Sequence, residues 1–114
     1  MKKYTLYILI SFMLISMGLI MNSCEKKKLV KSNCTTTISY KNDIVPMMQQ
    51  HCTSCHSNGA KSPDLTTHSG VANSATNCYG RMNDKGNPMP PNGNLADSLI
   101  QKFSCWVTQG KLNN

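Results

Sequence analysis

The sequence predicts a small, loop-rich, all-α domain. Three observations carry that prediction. Apolar residues recur at helical spacing in two stretches, Ile44–Met47–Met48 and Leu95–Leu99–Phe103–Trp106. No stretch alternates apolar and polar residues in the manner of a strand. Turn signals at Asn58-Gly59, Gly86, Pro88, Pro90, Pro91 and Gly93 divide the rest into short pieces. The chain has 114 residues, 39 % of them hydrophobic, which excludes multidomain enzymes and doubly wound α/β folds. No internal repeat is visible.

Residues 1–23 form the first unit. Lys2 and Lys3 precede an apolar run from Thr5 to Met21, followed by Asn22-Ser23-Cys24. This looks like a bacterial lipoprotein signal, in which Cys24 becomes the lipidated first residue of the mature chain. The competing reading is an uncleaved membrane anchor, because the run is long enough to span a bilayer. Both place the domain outside the cytoplasm and tether it to a membrane, with a periplasmic or surface-facing location.

Residues 24–36 read as a polar, flexible tether. Lys26, Lys27, Lys28 and Lys31 crowd into it. The net charge of +7 falls to +5 when Lys2 and Lys3 leave with the signal. A solvated basic stretch is the ordinary reading, and attraction to an anionic membrane surface the sharper one. Nucleic acid is not an expected partner, because the basic run has no interleaved aromatic residues.

Residues 37–114 form the folded domain. A first helix lies between Ile38 and His56, with Asn42 or Asp43 as N-cap and Pro46 in its first turn. A loop follows to Pro63. Thr66 or Thr67 caps a short helix reaching Ala75. Asn83 to Asn94 is turn-rich. The last helix is capped by Asn94 or Asp97 and stopped by Gly110, with Leu95, Leu99, Phe103 and Trp106 on one stripe and Ile100 and Val107 widening it.

The chemistry centres on Cys52-Thr53-Ser54-Cys55-His56. CxxCH is the attachment signature of c-type haem. Two thiols about one turn apart can add to the two vinyl groups, and the following histidine then reaches the iron. A thioredoxin-type pair needs a βαβ context, which is missing, and a structural zinc site needs four ligands, usually as two separated pairs. A covalent haem also supplies the core that a 91-residue mature chain lacks. The candidate sixth ligands are Met82, Met89, His51 and His68. Met89 leads because Pro88, Pro90 and Pro91 stiffen its loop. Met82 reads as core filler, His51 shares the motif's own helix, His68 is the rival, and an open iron site is the remaining alternative.

Tyr40…Asp43-Ile44-Val45-Pro46, the CxxCH, Leu65, Pro88-Met89-Pro90-Pro91 and Leu95…Ile100…Trp106-Val107…Gly110 together resemble a small class I-type cytochrome c over Cys34 to Leu112. The resemblance implies a compact fold in which N- and C-terminal helices pack around one covalent haem. It implies iron ligation by His56 and Met89, thioether links from Cys52 and Cys55, and one-electron transfer between redox protein partners rather than enzymatic turnover of a small-molecule substrate. A haem-based peroxidase or gas-sensing module with a labile sixth ligand is the alternative, and a non-haem thiol or zinc module is the third. Trp106 or Arg81 is a further candidate partner for a haem propionate. Domains of this kind often staple the tether's end to the last helix, which implies a Cys34–Cys105 disulfide. Cys78–Cys105 is the other pairing, and the cysteine left over is free or joins a partner chain.

Overall fold

The structure, a computed structural model, describes residues 34–114. The expected signal segment, the expected lipidation site Cys24 and the lysine cluster lie outside the described residues. Among the described residues all regular structure is helical. A π-helical turn, Tyr40–Ile44, runs directly into α1, Val45–His51; α2 spans His68–Met82 and α3 spans Asp97–Thr108. No helix among them is long and apolar enough to cross a membrane.

The first helix starts earlier than its sequence suggests. Ser39, not Asn42 or Asp43, is the N-cap: its hydroxyl accepts from the Asn42 N–H at 3.2 Å. The Asp43 carboxylate answers by accepting from the Ser39 N–H at 2.9 Å. This is a capping box with the acid one position further on than usual, as a wide π turn requires. Pro46 falls in the first turn of α1, where its missing N–H costs nothing.

The middle helix is twice the length expected. Thr67 caps it, its hydroxyl accepting from the Gly70 N–H at 3.1 Å, but it continues past Ala75 to Met82. Gly70, Asn73, Asn77 and Gly80 give this segment poor helix propensity. Burial overrides that: Val71, Ala75, Tyr79 and Met82 form one inward stripe. Gly70 is required for a different reason. A Cβ there would run into the carbonyl of Asp64, whose carboxylate holds the preceding turn by accepting from the Thr66 N–H and hydroxyl. Those bonds keep the Asp64 carboxyl below its ordinary range.

α3 has no side-chain cap; Ala96 takes that position, and Asp97 lies in the first turn. Its end is well defined. Gly110 at φ +96° lets the Gly110 N–H reach the Val107 carbonyl at 3.2 Å and the Lys111 N–H reach the Trp106 carbonyl at 3.0 Å. That pair of bonds is a Schellman motif. Ile100, Phe103 and Trp106 are buried, while Leu99 is only half-buried against the core.

The core gathers Ile44, Met47 and Met48 from the first helix, the α2 stripe, and Phe103 and Trp106 from α3. Trp106 is fully buried beside Tyr40, with ring centroids 5.6 Å apart, and beside Phe103, also at 5.6 Å. His68 meets both Tyr40 and Trp106 edge-on. The tail after α3 closes this cluster. Trp106 Nε1–H donates to the Leu112 carbonyl at 2.9 Å, and His68 Nε2–H donates to the Lys111 carbonyl at 2.8 Å. The Asn114 carbonyl accepts from the Lys41 N–H and the Ser39 hydroxyl, and its side-chain oxygen accepts from the Tyr40 N–H.

Cys34 and Cys105 form a disulfide with Cα atoms 5.5 Å apart, the pairing expected from the resemblance. Cys105 is itself buried. The link closes a sequence separation of 71 residues, a contribution of about 4 kcal/mol in the chain-entropy picture. Gln109 reinforces it, accepting from the Ile38 N–H and donating to the Thr36 carbonyl.

Two predictions follow from this packing. Gly70→Ala should destabilise the domain by about 1–3 kcal/mol, read as a lower midpoint in thermal unfolding. The second concerns Asp43, whose carboxyl is held below its ordinary range first by Lys102 at 2.8 Å and then by the Ser39 N–H. A depressed folded-state pKa stabilises above the unfolded value and is lost as pH falls through the folded one, so this contribution fades below about pH 4. Asp43→Asn should therefore lower the thermal midpoint at pH 7 and make progressively less difference as the pH is lowered to 2.5.

Candidate functional site

The CxxCH segment begins where α1 ends. Cys52 is the C-cap, and its N–H and that of Thr53 both reach the Met48 carbonyl, at 2.8 and 3.0 Å. The chain then turns tightly: the Cys52 carbonyl accepts from the Cys55 N–H at 3.2 Å and from the His56 N–H at 2.9 Å. Cys52, Cys55 and His56 are thereby held on one turn. The loop after it returns to the same place, with the Leu65 N–H donating to the His56 carbonyl at 2.9 Å.

That return positions the histidine ring. His56 Nδ1 lies 3.1 Å from the Pro63 carbonyl. A carbonyl only accepts, so Nδ1 is the donor and Nε2 is the ring nitrogen outside that bond. In metal-ligating histidines a bond of this kind from the other ring nitrogen fixes the ring's orientation. Pro63 had no distinguishing signal in the sequence; only the returning loop reveals its role.

The two motif thiols have opposite surroundings. Cys55 is exposed and Cys52 is half-buried against the core. Burial, and then the neighbouring Cys78 thiol, push the Cys52 pKa up to about 11. Burial also pushes the Cys78 thiol up. Cys52 is thus a neutral thiol facing apolar surroundings, the environment in which an apolar vinyl group could be received.

Met89 lies in the loop that follows the C-terminal end of α2. Its N–H donates to the Arg81 carbonyl at 3.0 Å, and it is half-buried between Pro88 and Pro90, with a cis Met89–Pro90 bond. α2 leads through Met82 directly to this loop, and Cys78 on α2 packs, like Cys52, against the common core. Met82 itself is core, as expected from its sequence position.

The other candidate ligands are used differently. His68 is committed to the Lys111 carbonyl and the aromatic cluster. His51 ends α1. Trp106 donates to the Leu112 carbonyl, which removes it as a propionate donor, and Arg81 pairs with Asp84 at 3.8 Å. Among the described residues no three His, Cys, Asp or Glu side chains converge as a metal site, so a four-ligand zinc centre has no ligand set there. A cavity of about 120 Å³ lies between α1 and the returning loop, lined by Tyr40, Met48, Thr53 and Leu65 among others. None of Cys52, Cys55, His56 or Met89 lines it.

The donor set of the turn fits a covalent haem: two free thiols three residues apart, followed by an imidazole whose Nε2 is left available. No family model, curated protein or solved structure matches the chain.

Exposure and pKa set the order of thiol reactivity in the haem-free chain. At pH 8 only about a thousandth of Cys52 is thiolate. Iodoacetamide should alkylate Cys55 at least about tenfold faster than Cys52, read by mass spectrometry of timed digests; equal rates would contradict the burial of Cys52.

Proposed function

We propose that the chain is a monohaem c-type cytochrome that carries single electrons between redox proteins outside the cytoplasm, held to a membrane by lipid on Cys24. The observation that carries the reading is the His56 ring, with Nδ1 bonded to the Pro63 carbonyl and Nε2 available, inside a turn that also presents Cys52 and Cys55. A bound haem would supply a one-electron iron couple. Cys52 and Cys55 would hold it through thioethers, His56 Nε2 would be the proximal ligand, and Met89 the sixth. An imidazole and a thioether together favour a raised reduction potential.

The chain's own contribution is positioning. The Pro63 carbonyl fixes the imidazole plane, so the ring would be held in one orientation for a bound haem. Prolines around Met89 and its bond to the Arg81 carbonyl limit the freedom of the loop, which favours a weak thioether bond by lowering the entropy lost in making it. The excess of basic residues favours acidic docking partners and makes encounter rates fall with salt.

The test is a visible spectrum of protein matured in a host with c-haem assembly machinery. The expected result is a covalent, low-spin haem with a weak sulfur-to-iron band that Met89→Ala abolishes. A high-spin spectrum in the unaltered protein would point instead to an open site and to peroxide or gas chemistry. Absence of covalent haem would overturn the reading. In the same host, Cys24→Ser should move the haem protein from the membrane to the soluble fraction.

A further inference from the structure

Two backbone groups of the returning loop grip His56. Its Nδ1–H donates to the Pro63 carbonyl at 3.1 Å, and its carbonyl accepts from the Leu65 N–H at 2.9 Å. These two groups belong to consecutive peptide planes. The Pro63 carbonyl lies in the plane that ends at the Asp64 Cα, and the Leu65 N–H lies in the plane that begins there. Each plane is rigid, so their mutual orientation depends on the two backbone dihedrals of Asp64. Asp64 is the joint of the grip.

Side-chain and main-chain contacts hold that joint. The Asp64 carboxylate accepts from the Thr66 N–H at 2.9 Å and from the Thr66 hydroxyl at 2.7 Å. The Asp64 carbonyl, which shares a plane with the Leu65 N–H, packs against the first turn of α2, where a Cβ on Gly70 would run into it. Thr67, the next residue after Thr66, caps α2 by accepting from the Gly70 N–H. The side chain therefore ties the joint to the residue before the cap, and the main chain ties it to the helix itself. We propose that Asp64 is a positioning residue for His56: its carboxylate sets the two peptide planes that grip the histidine, so that Nδ1 stays the donor and Nε2 is kept for a ligand. Resting on the proposed function, that ligand is haem iron, and the start of α2 becomes the support from which the imidazole is held.

The test uses full-length protein with nitrogen-15 in its histidines, studied by nuclear magnetic resonance at pH 8, both haem-free in detergent and haem-loaded. In the haem-free chain the His56 ring should be mainly in its Nδ1–H form. Asp64→Ala should lower the ratio of the Nδ1–H to the Nε2–H form by about threefold, within the worth of one hydrogen bond. Asp64→Asn keeps an acceptor oxygen for Thr66 and should restore most of that ratio. In the loaded, reduced protein, Asp64→Ala should speed exchange of the Nδ1 proton with deuterium by a similar factor. Thr66→Val removes the hydroxyl but keeps the N–H, so it should shift both readouts the same way by less; it decides the matter where circular dichroism shows Asp64→Ala unfolded. Asp43→Asn, which weakens the cap of the first helix instead, should leave both readouts unchanged. A ring unaltered in folded Asp64→Ala, or altered equally by Asp43→Asn, would overturn the proposal. Because the ratio is read without haem, it stands even if haem never attaches. Covalent haem together with an unaltered ring in Asp64→Ala would leave the proposed function intact and remove this role from Asp64.

Discussion

Three helices from separate parts of the chain meet around the Trp106 indole, and the backbone beyond the last of them is what holds them there. The Schellman bonds at Gly110 and Lys111 reverse the chain so that successive carbonyls face inward. Trp106 and His68 then donate to the carbonyls of Leu112 and Lys111, while the start of the first helix binds Asn114. Every donor in this set is tied to a buried ring or a helix start, so losing one leaves a polar group unsatisfied inside the domain. A 15-residue α2 of poor intrinsic propensity persists because its N-terminal His68 is part of that set and its inward stripe covers the same rings.

The same constraint separates what the sequence reveals from what it hides. The last helix is legible because its apolar stripe and its stop at Gly110 agree; its start is not, because Ala96 rather than Asn94 or Asp97 takes the cap position. The Cys34–Cys105 link follows from resemblance alone; residue spacing does not distinguish it from Cys78–Cys105. The length of α2 is hidden because glycines and asparagines argue locally against a helix that tertiary burial sustains. The cap at Ser39 is hidden because a π turn shifts its acidic partner from the expected third position to the fourth. In the candidate site, Cys52, Cys55 and His56 announce themselves by spacing. Pro63 does not, since its role depends on where a loop of eight residues returns.

The site divides its work between stiffness and shelter. Backbone bonds to one carbonyl, that of Cys52, hold the motif turn, and a second carbonyl holds the imidazole. Side-chain environment then distinguishes two cysteines of the same motif, one exposed and one half-buried against the core. A motif read as five letters is therefore, in the folded chain, an asymmetric object whose inner half belongs to the core and whose outer half belongs to the surface.

The Cys34–Cys105 bond also sets how far the domain can roam. With Cys24 lipidated as proposed, ten peptide steps separate the lipid from the covalently fastened Cys34. Fully extended, such a leash reaches about 35 Å. The domain is then confined to a thin shell above the bilayer, where its effective concentration toward membrane-bound neighbours is high and toward distant soluble proteins is not enhanced. Because the fastening is at one fixed point on α3, lengthening the leash by inserting residues before Cys34 would change that shell thickness without touching the fold.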